Sequence, residues 1–149
     1  MYFFDADGNK VEYDGSDLEW RVSAYGLIYK KDKVFLIKHK HEKNYDLPGG
    51  GINLGEHTED ALIREAREEA GIELKVKKLI SYKQDYFYYK QKKKYYQTIL
   101  LFFECEIDGK KKKPSEKSIE FADFISIKDL KKYPLIYFVR EVVDQYKNN

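Results

Sequence analysis

Apolar residues recur along this chain in two rhythms, at every second position in some stretches and every third or fourth in others, and the rhythm predicts the elements. Residues 1–14, MYFFDADGNKVEYD, read as a short N-terminal hairpin turning at Asp7-Gly8-Asn9, with 1–15 an extension ahead of the main body. Strands are predicted over 21–29 and 33–38, joined by a charged turn at Lys31-Asp32. Long strands follow over 74–89 and 95–107, and another over 121–127. A helix is predicted over 58–70, with Leu62, Ile63, Ala66 and Ala70 on the side that buries. Pro134 opens a terminal amphipathic helix whose inner side is Ile136, Val139, Val142 and Val143. The whole is an α/β arrangement, a mixed sheet with helices packed on it.

The ends of the 58–70 helix carry their own signals. Thr58 is expected to cap its start, Glu59 and Asp60 place negative charge where the helix dipole favours it, and Gly71 supplies the left-handed residue that stops it. Glu65, Glu68 and Glu69 share a stripe beside the apolar side, with Arg64 one turn from Glu68. Like charges three and four residues apart destabilise a helix by a few tenths of a kcal/mol per pair. A cation between them removes that cost. Hard oxygen donors without a neighbouring Cys or His favour Mg²⁺ or Mn²⁺ over zinc.

The spacing is more specific than the charge. From Gly50, five residues lead to Glu56 and seven more to Arg64-Glu65, followed by Ala66, Arg67, Glu68-Glu69, Ala70, Gly71 and Ile72. This resembles the Nudix box, GX5EX7REUXEEXGU with U aliphatic, and Ala66 is the one undersized match. Asp46-Leu47-Pro48-Gly49-Gly50-Gly51 resembles the approach to that box. The resemblance implies an α/β/α sandwich, in which the mixed sheet is flanked by the box helix and the C-terminal helix. It also implies hydrolysis of a nucleoside diphosphate linked to another moiety. Glu65, Glu68 and Glu69 would ligate Mg²⁺ or Mn²⁺, Arg64 would orient the carboxylates, and Glu56 would lie close as an accessory. Gly50 and Gly51 would let the backbone approach the metal and substrate. The general base varies within the family; here the candidates are Glu69, Glu116 and Glu120, the last two in KPSEKSIEFADF.

Competing motifs fall away. Gly50 to Gly55 has P-loop spacing, but Glu56 and His57 stand where that loop needs Lys and Ser or Thr. No GxSxG elbow is present, and the one cysteine, Cys105, sits in an apolar run as a buried small hydrophobe.

Composition changes the picture little. The 149 residues suit one domain, and a net charge of +2 gives no overall field that points to nucleic acid. The lone cysteine forbids an internal disulfide framework and agrees with a cytoplasmic setting, and no apolar run is long enough to cross a bilayer. Tyrosine is abundant at 14 residues. Tyr88 and Tyr89 sit where family members acting on dinucleoside polyphosphates carry a tyrosine, while Phe87 replaces the proline of ADP-ribose hydrolases. Those rings are candidates for stacking a nucleobase. Lys90 with Lys92 to Lys94, and Lys110 to Lys113, read as solvated hairpin loops, and His39 and His41 as a polar strand end. If the lysines face the acidic helix, an RNA 5′-pyrophosphohydrolase or decapping activity is the alternative. A non-catalytic nucleotide-binding domain is a third reading, disfavoured because every box glutamate is present. The N-terminal hairpin offers an edge through which a homodimer can pair.

Overall fold

The computed structural model describes residues 1–147. In chain order it contains β1 (Tyr2–Phe4), β2 (Lys10–Glu12), β3 (Leu18–Lys30), β4 (Lys33–His39), β5 (Gly49–Gly51), α1 (Thr58–Ala70), β6 (Leu74–Tyr89), β7 (Lys94–Ile107) and β8 (Ile119–Ser126). A 3-10 turn (Ile127–Lys132) and α2 (Val139–Lys147) complete it. The strands lie in the order β2-β1-β6-β7-β3-β4-β8, and β5 pairs with β3 off that path. β7 runs parallel to β3 and antiparallel to β6, so the sheet is mixed as the pattern predicts.

Alternation along the strands assigns the two faces. Tyr25 and Leu27 of β3, Val34 and Leu36 of β4, and Leu100 and Phe102 of β7 pack beneath Val139, Val142 and Val143 of α2. Ala24, Ile28, Phe35, Ile37 and Phe103 point the other way and meet Leu62, Ala66 and Ala70 of α1. The sheet is therefore covered on both faces, each by one helix.

The local signals act as expected in most places. Lys31 and Asp32 both take positive φ, 46° and 57°, the backbone of a tight turn matched to the twist of its flanking strands. Gly71 ends α1 at φ 65°, its N–H donating to the Arg67 carbonyl. Cys105 is buried, and that burial pushes its thiol up to about 12.

The first hairpin forms at the expected place, with Asp5 N–H donating to the Asn9 carbonyl at 3.0 Å. It is anchored by Phe3, which is fully buried against the rings of Tyr13, Tyr86 and Tyr95. β1 joins the main sheet through a parallel bridge from Phe4 to Phe87, leaving β2 at the sheet edge.

Two expectations need correction. Thr58 does not cap α1: the cap position is His57, in extended backbone, and no side chain bonds there. The carbonyl of His57 instead receives the first helical bond, from Ala61 at 2.9 Å, which places Thr58 inside the helix. Pro134 does not open the terminal helix. Residues 134–136 run beside Tyr45, whose N–H donates to the Pro134 carbonyl at 2.8 Å and whose carbonyl accepts from Ile136 at 2.9 Å. With those groups satisfied outside a helix, α2 starts at Val139, and Ile136 is only partly buried.

Candidate active site

β5 is three glycines laid against β3, with Ala24 opposite Gly50 and Tyr25 opposite Gly49. A Cβ on Gly49 would fall 2.1 Å from the Ala24 carbonyl oxygen, and φ there is 144°, so glycine alone permits this approach. The loop 52–57 then leads into α1, whose carboxylate stripe faces back across β5.

Glu69 lies deepest, with 3% of its surface exposed. One of its oxygens accepts from the Gly49 N–H at 3.0 Å, and the other sits 3.2 Å from His39 Nε2. Burial pushes the Glu69 carboxyl up to about 8, against the pull of His39 and the Gly49 N–H. His39 is raised as well, chiefly by its hydrogen bond to Glu69. The two shifts are coupled through one contact: the hydrogen bond that raises His39 lowers Glu69 against its burial.

Glu65 stands one turn earlier, half-buried and pushed upward by desolvation, with the charges of Glu68 and Glu116 adding to the shift. A Cβ on Gly50 would meet Glu65 Cδ at 2.9 Å, so the missing side chain makes room for this carboxylate. Arg64 binds the group together. Its Nε donates to Glu56 at 2.7 Å, Nη1 to Glu65 at 3.1 Å and Glu68 at 3.3 Å, and Nη2 to Glu56 at 3.1 Å and the Gly51 carbonyl at 3.3 Å. Glu56 also accepts from the Asn53 N–H at 3.1 Å, and these bonds to Arg64 and Asn53 hold its carboxyl below the usual range.

The segment after β7 returns to this ridge. Lys112 N–H donates to the Gly71 carbonyl at 2.6 Å and Glu116 N–H to the Glu68 carbonyl at 2.9 Å. This pinning brings Glu116 Oε1 to 3.8 Å from His39 Nδ1. Glu120 goes elsewhere: it pairs with Lys38 at 2.5 Å, more than half exposed, and does not line the cavity. Of the two later-loop carboxylates, only Glu116 is brought to the site.

A cavity of about 530 Å³ opens over the ridge, with Glu65, Glu69, Glu116 and His39 at one end. Tyr88, Tyr89, Lys90 and Lys92 line it as well. The first lysine stretch thus borders the cavity, whereas the backbone of the second is tied to α1 through Lys112. Arg21 and Asp46 also line the cavity, and burial pushes the Asp46 carboxyl up to about 7.

His39 was expected at a solvated strand end, and the structure places it in the site. The cause is the alternation of β4: His39 follows Phe35 and Ile37 on the face that packs against α1, while the irregularity beside it in the β4–β8 ladder places its extra residue, Glu120, on β8. The sequence signals for His39 are its phase with Phe35 and Ile37 in the same strand and its place a few residues before the glycine run. Asp46 stands in the quoted approach motif and Arg21 at a predicted strand start, but neither carries a local mark of its destination.

The donor set suits a hard divalent cation. Buried or half-buried carboxylates crowd together with Arg64 as the one guanidinium among them, and their ionised forms are disfavoured without more positive charge. Among the described residues no group of three or more His, Cys, Asp and Glu side chains is arranged to hold an ion by itself.

Comparison with known proteins gives a consistent result. The family model for the NUDIX domain matches residues 19–146. An ADP-ribose pyrophosphatase of Methanocaldococcus jannaschii is 42% identical over 62 residues, which are 40% of this chain and 37% of that relative. The chain thus spans little more than a third of that relative's length. Among solved structures, a NUDIX hydrolase from Nitrosomonas europaea superposes with a TM-score of 0.73 at 18% identity, covering 87% of this chain and 90% of the other. A MutT NUDIX hydrolase from Burkholderia pseudomallei gives 0.70 at 23% identity, over 85% and 98%. At those identities the likeness is one of fold.

Proposed function

The chain belongs to the NUDIX family, and on that premise we propose that it is a divalent-cation-dependent pyrophosphohydrolase. Its substrate is a small nucleoside diphosphate linked through phosphate to a second moiety. The observation that carries this reading is the convergence of Glu65, Glu69 and His39 at one end of a cavity large enough for such a molecule. The name of the M. jannaschii relative supports the same substrate class.

Hydrolysis of a phosphoanhydride requires water to reach phosphorus through negative oxygens, so the enzyme must position the reactants and neutralise charge. Glu65, Glu68 and Glu69 would hold Mg²⁺ or Mn²⁺, which lowers the pKa of bound water and offsets phosphate charge. Arg64 keeps Glu65 and Glu68 in place while occupying both oxygens of Glu56, which makes Glu56 a positioning group. The Glu69–His39 pair, with Glu116 beside it, is the proton acceptor. Glu120 has no part in this scheme, being committed to Lys38.

The test is a substrate screen. Purified protein with Mg²⁺ or Mn²⁺ is offered ADP-ribose, nucleotide sugars, dinucleoside polyphosphates, dNTPs and triphosphorylated RNA, with products separated chromatographically. Cleavage at the diphosphate of ADP-ribose or a nucleotide sugar is expected. Turnover of none of these substrates would overturn the proposal. Preference for RNA, weakening steeply with salt, would replace it with the reading in which Lys90 and Lys92 hold a nucleic-acid backbone.

A further inference from the structure

The family match begins at residue 19, yet the hairpin ahead of it forms part of the cavity. Its turn is rigid. Asp5, with 7% of its surface exposed, accepts from the N–H groups of Asp7 and Asn9 at 2.9 Å each and from the Asn9 amide at 3.3 Å. The tip is latched to the loop after β4, where buried Asn44 donates to Asp7 Oδ1 at 2.9 Å and Lys43 stands 3.7 Å from the same oxygen. That loop is tied in turn to the β6–β7 turn by Gln91, which donates to Glu42 at 3.2 Å. Three segments, residues 5–9, 42–44 and 90–92, therefore meet in the wall of the cavity.

What these segments present is a mixture of acceptors and donors. The second oxygen of Asp7 has no partner among the described residues. Lys90 and Lys92 have no carboxylate partner there either, and Lys92 lies 5.8 Å from the ring centre of Tyr89. Neighbouring hydroxyls on a sugar can donate to a carboxylate while accepting from an amide or ammonium, and the C–H face of the sugar packs on aromatic rings.

We infer that the hairpin turn, held by Asn44, is a specificity wall that recognises a sugar-type moiety attached to the nucleoside diphosphate, with Asp7 as the hydroxyl acceptor. The inference rests on the hydrolase reading for its reaction but not for its binding contact. Its test compares the full chain with Asp7→Ala and Asn44→Ala, after thermal melts establish that both variants fold. With Mg²⁺, the ratio of kcat/KM for ADP-ribose to that for dATP is expected to fall about tenfold in each, through KM, as for one lost charge-assisted hydrogen bond. Calorimetry with ribose 5-phosphate should show the same loss of affinity without any turnover. An unchanged ratio, or equal affinity of all three proteins for ribose 5-phosphate, overturns the inference, as does a wild type that fails to bind it at millimolar concentration. If the wild type binds ribose 5-phosphate in an Asp7-dependent way but cleaves nothing, the hydrolase reading fails and the wall stands.

Discussion

Glu69 joins most of the site's properties in one side chain. It is buried, accepts from the Gly49 N–H, and lies 3.2 Å from His39 Nε2. Glu69→Gln keeps an acceptor for that N–H but removes the charge, so the fold should persist while turnover falls at least about a hundredfold. Wild-type rates in a Mg²⁺ assay would contradict the assignment. Glu68→Gln, at the exposed edge of the stripe, should show the same direction of change. His39→Gln leaves Glu69 without its imidazole and should lower kcat/KM by about a hundredfold while removing one ionisation from the pH profile. A profile identical in shape to wild type would show that His39 takes no part in the proton transfer. Of these residues the glutamates were readable from spacing, because a box motif is a local pattern. The alternation of Phe35, Ile37 and His39 along β4 sets which face His39 takes, but not its partner, because the meeting with Glu69 depends on how α1 packs on that face.

At the scale of elements, the loop–helix–loop is held by contacts in which side chains are absent. A Cβ at Gly71 would lie 1.9 Å from the Lys112 carbonyl oxygen, and the residue is already at φ 65°. Gly71→Ala should cost about 1–3 kcal/mol in urea unfolding, and it should lower activity as well, since the same backbone segment carries Glu116. Gly50→Ala is expected to behave differently. Its methyl would press on Glu65 Cδ, so the larger effect should be a raised Mg²⁺ requirement rather than lost stability, checked by comparing metal titrations with melts. The bounds of the helix were legible from its apolar side and its terminal glycine, whereas its cap was not, since that position falls on His57. The extended run 134–136 was not, because Tyr45 supplies its hydrogen bonds and nothing near Pro134 announces that partner.

For the molecule as a whole, the consequence of a carboxylate-lined interior is a pH-dependent stability. Asp46 is raised by burial to about 7, whereas in the unfolded chain it ionises near its ordinary value of about 4. Between those limits the folded protein keeps a proton that the unfolded chain has released, so this contribution is whole below about pH 4 and is lost as pH rises through about 7. The stability of Asp46→Asn relative to wild type should therefore grow from pH 4 to pH 7 and then level. Denaturation of both proteins across that range in EDTA checks it, and a difference that shrinks with pH would refute the assignment. The fold class, the two helix-covered faces and the acidic stripe were determined by the sequence, since periodicity, glycine stops and box spacing act over neighbouring residues. Only the tertiary structure decided which later carboxylate reaches the ridge, which carboxylate His39 meets and how the first hairpin meets the cavity. Those outcomes depend on backbone partners far apart in the chain, and no local pattern of residues encodes which of them will meet.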